Sequence, residues 1–98
     1  MNIKLTELIT DLDGSPAGDG LTLGSAIEQA LLIPAKGDDQ LTGAAKVKLF
    51  MLASRLHGKE SADLTAEDVV LVKERVGRLF TPIVVGRVWA AIDPASMA

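Results

Sequence analysis

Asp11-Leu12-Asp13-Gly14 begins with alternating carboxylates, the spacing with which a calcium-binding loop begins. The rest of such a loop is missing. Pro16 stands where the sharp-turn glycine belongs, and Thr22 stands where a bidentate glutamate should close the shell. The two aspartates are therefore read as turn formers. His57 is the only histidine, and in principle a general base. No serine or carboxylate is marked as its partner. Its place beside a helix end suits an imidazole that meets terminal carbonyls or solvent. Gly14, Gly18, Gly20 and Gly24 lack the lysine that would complete a phosphate-cradling loop. Glu67, Asp68 and Glu74 fit a helix start and a solvated face better than an acid–base pair. The sequence thus offers no enzyme signature, no cofactor motif and no metal-ligand set. The absence of cysteine removes disulfides, thiolate metal sites and a cysteine nucleophile.

What remains is side chains suited to contact. Arg75, Arg78 and Arg87 gather around the junction of the last two helical patterns, and Trp89, the sole tryptophan, lies beside them. Read as a group they form the polar rim and aromatic anchor of a partner-binding surface. The competing reading makes the arginines a solvated face and puts Trp89, Phe50 and Phe80 in the core.

The elements that must position these residues follow from caps and periodicity. Thr65 caps a helix with Glu67 and Asp68 in its first turn, and Val69, Val72, Val76 and Leu79 recur along one side. Thr81-Pro82 starts the next helix, with proline where its missing N–H is not needed and Val85, Val88, Trp89 and Ile92 as the buried stripe. Upstream, a helix runs from about Thr22 to Leu32 on Leu23, Ile27, Ala30 and Leu31, and Ile33-Pro34 ends it. Thr42 caps another from Gly43 to about His57, with Gly58 as its stop. Ala45, Leu49, Leu52, Ala53 and Leu56 make its buried face, which Val47, Phe50 and Met51 widen. Residues 2–12 fit either an alternating strand or a helical face. The threonines and Ile3 favour a short strand or extended arm, and Leu21 to Leu23 could return as a hairpin. Lys59 to Asp63 reads as a connection, and residues 93–98 as a frayed tail after Asp93-Pro94. Gly77 and Gly86 lie inside helices, at a cost of about 1 kcal/mol each relative to alanine, which suggests close helix packing there.

The expected fold is mainly α. It is a compact bundle of about four helices, preceded by a short N-terminal β-hairpin or extended arm. Its 98 residues form one domain, with an arm and loop over 1–21, a helical body over 22–92 and a tail over 93–98. Hydrophobic residues are 48% and charged residues 23% of the chain, as in globular proteins. A mean hydropathy of +0.29 is high for so small a domain, and favours a surface that meets a partner or a second copy. Residues 1–40 carry two basic and seven acidic groups, whereas residues 41–98 carry eight and six. Neither half makes a nucleic-acid footprint or a DNA mimic. The segment Lys73 to Arg78 also lacks the amide side chains of a recognition helix. No apolar run approaches the ~20 residues that span a bilayer, and the start of the chain lacks a signal-peptide pattern. The expectation is an intracellular protein.

Several fragments carry a resemblance. They are TDLDG (Thr10 to Gly14), LTLG (Leu21 to Gly24), DLTAEDVVLVKERVG (Asp63 to Gly77) and PIVVGRVW (Pro82 to Trp89). In this order they resemble a group of small proteins encoded by tailed bacteriophages and prophages. The resemblance spans nearly the whole chain and brings no catalytic residue with it. It implies a non-enzymatic phage protein in the cytoplasm of an infected bacterium or in the virion. Such a protein works by protein–protein contact in virion morphogenesis, as a tail or head assembly factor or chaperone. The alternative is an inhibitor that docks on a host enzyme or antiviral defence complex. The implied partners are a phage structural protein or a host protein, together with further copies of the chain in a homo-oligomer.

Overall fold

The fold is assembled from short helices whose ends are fixed by side chains. The computed structural model describes residues 2–97. Strand β1 (Asn2–Lys4) leads through an irregular loop to helix α1 (Leu23–Leu32). A 3-10 turn at Asp38–Gln40 precedes α2 (Gly43–Leu56), and β2 (Ser61–Asp63), α3 (Ala66–Leu79) and α4 (Pro82–Ile92) follow. The mainly α, four-helix architecture expected from the sequence is the one observed.

Three threonines start helices as their spacing suggests. Thr22 Oγ1 accepts from the Ser25 N–H and Thr42 Oγ1 from the Ala45 N–H, each at 3.1 Å. Thr65 makes a reciprocal box: its hydroxyl accepts from the Asp68 N–H, while the Asp68 carboxylate accepts from the Thr65 N–H at 3.0 Å. Thr81 makes no such side-chain bond, and Pro82 alone sets the start of α4. Gly58 takes a left-handed conformation with φ +73° just past α2, where a side chain would be strained.

The core is one cluster. Ile9, Ile27, Val72, Val76, Val88 and Ile92 are fully enclosed at its centre. Helix α1 lies in the middle, packed on both α2 and α3, while α4 packs on α3 and the edge of α1. Along the expected stripe of α3, Val72 and Val76 are buried and Val69 and Leu79 half-buried, while α4 buries Val84, Val88 and Ile92 and leaves Val85 and Trp89 half-buried. Its inward face is turned by about one residue from the expected stripe.

The N-terminal segment follows the alternating pattern. Ile3, Leu5 and Ile9 are buried, whereas Leu8 and Leu12, which a helical face would have covered, are exposed. Leu8 bridges antiparallel to Thr22, so residues 21–23 do return along the arm. The partner of β1, however, is β2, with Ile3 opposite Ala62. Lys59 to Asp63 is therefore partly a strand and not only a connection. Ser-Ala-Asp has little strand preference of its own, and it is ordered by its partner. The segment after α4 also differs from the frayed tail: Pro94–Met97 forms a 3-10 turn in which the Ser96 N–H and hydroxyl both donate to the Asp93 carbonyl. Ala98, the last residue of the expected tail, lies outside the described residues.

Glycine packing also departs from expectation. A methyl group at Gly77 or Gly86 would meet no atom within 4 Å, so neither marks a close helix approach. The tight position is Gly24, where a Cβ would come within 3.0 Å of Leu5 Cβ and of the Leu5 carbonyl oxygen. The Gly24 N–H donates to that same carbonyl at 2.9 Å, drawing the arm onto the first turn of α1.

Candidate interaction surface

The residues expected to form one contact face are not together on the surface. Arg75 is 3% exposed and is a structural strut, which corrects the expectation of a surface arginine. Its Nε donates to the Ala30 carbonyl at 2.9 Å and its Nη2 to the Ile33 carbonyl at 3.2 Å. Nη1 and Nη2 together grip both oxygens of Asp38. A helix end leaves its last carbonyls without partners, and Arg75 supplies donors to two of them at the end of α1. The Arg75 fork, followed by the Ala35 N–H bond, holds the Asp38 carboxyl well below the usual carboxylate range. The same carboxylate raises Arg75 further, against the opposing effect of burial.

Arg78 is exposed, pairs with Glu74 at 2.9 Å and lies 3.9 Å from Asp38. Arg87 is also exposed, and two of its donors bond its own chain: Nε donates to the Thr10 carbonyl and Nη2 to the Asp11 carbonyl, both at 2.9 Å. Trp89 is half-buried and braces α3 against α4. Its Nε1 donates to the Lys73 carbonyl at 3.2 Å, and the Lys73 ammonium sits 4.4 Å from the ring centroid while pairing with Asp93 at 2.9 Å.

The candidate chemistry resolves in the same way. Asp13 Oδ1 accepts from the Ser15 N–H at 3.0 Å and the Ser15 hydroxyl at 2.6 Å, a local turn that lowers its pKa. His57 is exposed at the end of α2, with Nδ1 2.9 Å from Glu28 Oε1. Asp68 is pushed up by burial, but hydrogen bonds from Arg55 and Thr65 outweigh that and leave it lowered. Among the described residues no group of three or more His, Asp or Glu side chains is placed to hold a metal ion. Among them, too, no helix is long and apolar enough to cross a membrane.

The prominent surface feature lies elsewhere. Val47, Phe50 and Met51 of α2 do not widen its buried face; all three are exposed, Phe50 at 62%. Phe50 is therefore not a core aromatic, while Phe80 packs against the core. Phe50 and Leu32 form a ridge between two depressions. The larger is an open groove of about 420 Å³ with Leu31, Pro34, Leu41 and Leu49 along its walls. The smaller, about 280 Å³, reaches Ala53 and His57. Asp38 and Arg75 line the larger groove, so the buried fork also sets its shape. The signal for this surface was present in α2. Leu49, Leu52, Ala53 and Leu56 already fill one stripe, and three further large apolar residues exceed what one side of a helix can bury. In comparisons with known proteins, no family model, curated protein or solved structure matches this chain.

Proposed function

We propose that this protein is a non-enzymatic docking module, and that its contact face is the apolar surface of α2 together with the end of α1. The observation that carries the reading is the pair Leu32 and Phe50, exposed on adjoining elements and lining one groove, with Val47 and Met51 exposed further round α2. Large apolar side chains gathered around a concave surface mark sites where another protein is bound. The resemblance to small phage proteins gives the setting: virion morphogenesis, with a head or tail component as the partner.

The test is affinity capture on immobilised protein from lysates of host cells with and without phage infection, with Phe50→Glu run in parallel. Head or tail proteins retained only after infection, and lost with the variant, support the morphogenesis reading. A host enzyme or defence complex retained from uninfected cells would replace it with the inhibitor reading. A capture profile that Phe50→Glu leaves unchanged would show that the face is wrong.

A further inference from the structure

We propose that residues 34–41, the connection between α1 and α2, are a hinged strap that swings off the groove beside Phe50 as one unit when the Asp38–Arg75 ion pair parts. The device belongs to the shape of the groove and stands whatever the groove binds.

The strap is bonded to itself and not to the body. The Asp38 N–H donates to the Ala35 carbonyl at 3.1 Å, while the Gln40 N–H donates to the Gly37 carbonyl and the Leu41 N–H to the Asp38 carbonyl, both at 3.0 Å. The Ala35 N–H donates to Asp38 Oδ2 at 2.8 Å, and Gly37, with φ +92°, reverses the chain between them. Among the described residues, 34–41 make no backbone–backbone hydrogen bond to any other segment. Burial does not pin the strap either. From Leu32 to Lys48 no residue is buried, and Leu41 is the strap's one side chain packed against the core. Units with few buried apolar contacts are those that open well below the free energy of global unfolding.

One carboxylate closes the strap. Asp38 is held by both Nη atoms of Arg75, with Arg78 3.9 Å away. The two ends are fixed separately, by the Arg75 Nη2 bond to the Ile33 carbonyl and by the Thr42 cap of α2. The strap thus has two anchored hinges and a single latch between them. When it lifts, both charges of the latch reach water, so opening strands no ion in an apolar site. Pro34, Asp38, Asp39 and Leu41 of the strap line the groove together with Leu31 and Leu49, which are buried. Lifting the strap uncovers these two leucines and extends the groove of about 420 Å³ into a longer apolar trough beside Phe50.

Native-state amide exchange on the whole chain, followed residue by residue in urea below the unfolding transition, tests this. The Asp38, Gln40 and Leu41 amides should exchange together, through an opening that depends little on urea because it exposes little surface. The Val72 and Val76 amides of α3 should exchange only through the strongly urea-dependent global unfolding. Asp38→Asn keeps the side chain's size and removes its charge. It should speed the three strap amides by about 10- to 100-fold, the effect of losing a charge-assisted fork, and the α3 amides by less. Asp39→Asn, at the neighbouring carboxylate outside the fork, should leave all of them unchanged. Anilinonaphthalene sulfonate, a dye that brightens on exposed apolar surface, should brighten with Asp38→Asn and not with Asp39→Asn, while the helical circular dichroism of both matches the wild type. Strap amides that exchange only along with α3, that are unprotected in the wild type, or that do not respond to Asp38→Asn overturn the strap. Faster strap exchange without a dye response overturns the uncovering of the leucines.

Discussion

Arg75 and Asp38 stand 37 positions apart in the chain and meet as a two-pronged ion pair that joins α3 to the turn following α1. The guanidinium is enclosed, and its remaining contacts are backbone carbonyls at the end of α1. Removing either partner leaves the other without the groups that make its burial tolerable.

Arg75→Ala should therefore be the most damaging single change among the four arginines. Breaking a buried charge pair typically costs about 3–5 kcal/mol. Arg75→Lys should recover only part of this, because an ammonium cannot span two carboxylate oxygens and two carbonyls at once. Arg78→Ala, at an exposed site, should cost less than about 1 kcal/mol. Urea unfolding of the three variants checks the order, and equal losses for Arg75→Ala and Arg78→Ala would remove the strut from the account.

Acid should act through the same pair. Asp38 and Asp68 both titrate below the ordinary 3.8 in the folded chain. In acid the unfolded chain thus binds more protons than the native one, and stability rises with pH across that range. The contribution is fully present well above pH 3.8 and is lost as pH falls below it. Asp38→Asn should flatten the fall in melting temperature between about pH 5 and pH 2, while lowering it at neutral pH. A variant whose acid slope matches the wild type would assign the lability to other carboxylates.

Three glycines should separate by sign. Gly77→Ala and Gly86→Ala meet open space in helix interiors, and each should stabilise by up to about 1 kcal/mol. Gly24→Ala, although also helical, drives a methyl group against Leu5 and should destabilise by about 1–3 kcal/mol as an overpacked site. Thermal melts of the three variants decide it; a stabilised Gly24→Ala would mean that the arm yields freely.

The two threonines that start the last helices should also differ. Thr65→Ala removes the hydroxyl half of a reciprocal cap, leaving the backbone N–H bond to Asp68, and should cost about 1 kcal/mol. Thr81→Ala removes no hydrogen bond at the helix start and should cost only a few tenths. Amide exchange in the first turns of α3 and α4 reads the two effects separately.

The helices were legible because their signals are local. Thr22, Thr42, Thr65 and Pro82 each mark a start within one turn of the chain, and the valines of α3 declare their buried side by spacing alone. The strand at Ser61–Asp63 was not legible, since nothing in Ser-Ala-Asp announces it and its cause lies 59 positions away at β1. The burial of Arg75 was not legible for a related reason. Arg75, Arg78 and Arg87 cluster in sequence, but Arg75 is enclosed because distant segments supply its acceptors, Asp38 and the α1 carbonyls, while Arg78 and Arg87 stay exposed. The exposed Phe50 surface could have been inferred from the surplus of apolar residues on α2, once the capacity of one buried stripe is counted.

The bond from Arg87 to the Thr10 carbonyl spans 77 positions, so the Asp11–Ser15 turn is secured by α4, far along the chain. During synthesis the early helices can form as they leave the ribosome, while the Asp11–Ser15 turn stays untethered until α4 emerges. The turn gains this brace only on a chain that has already been translated through α4.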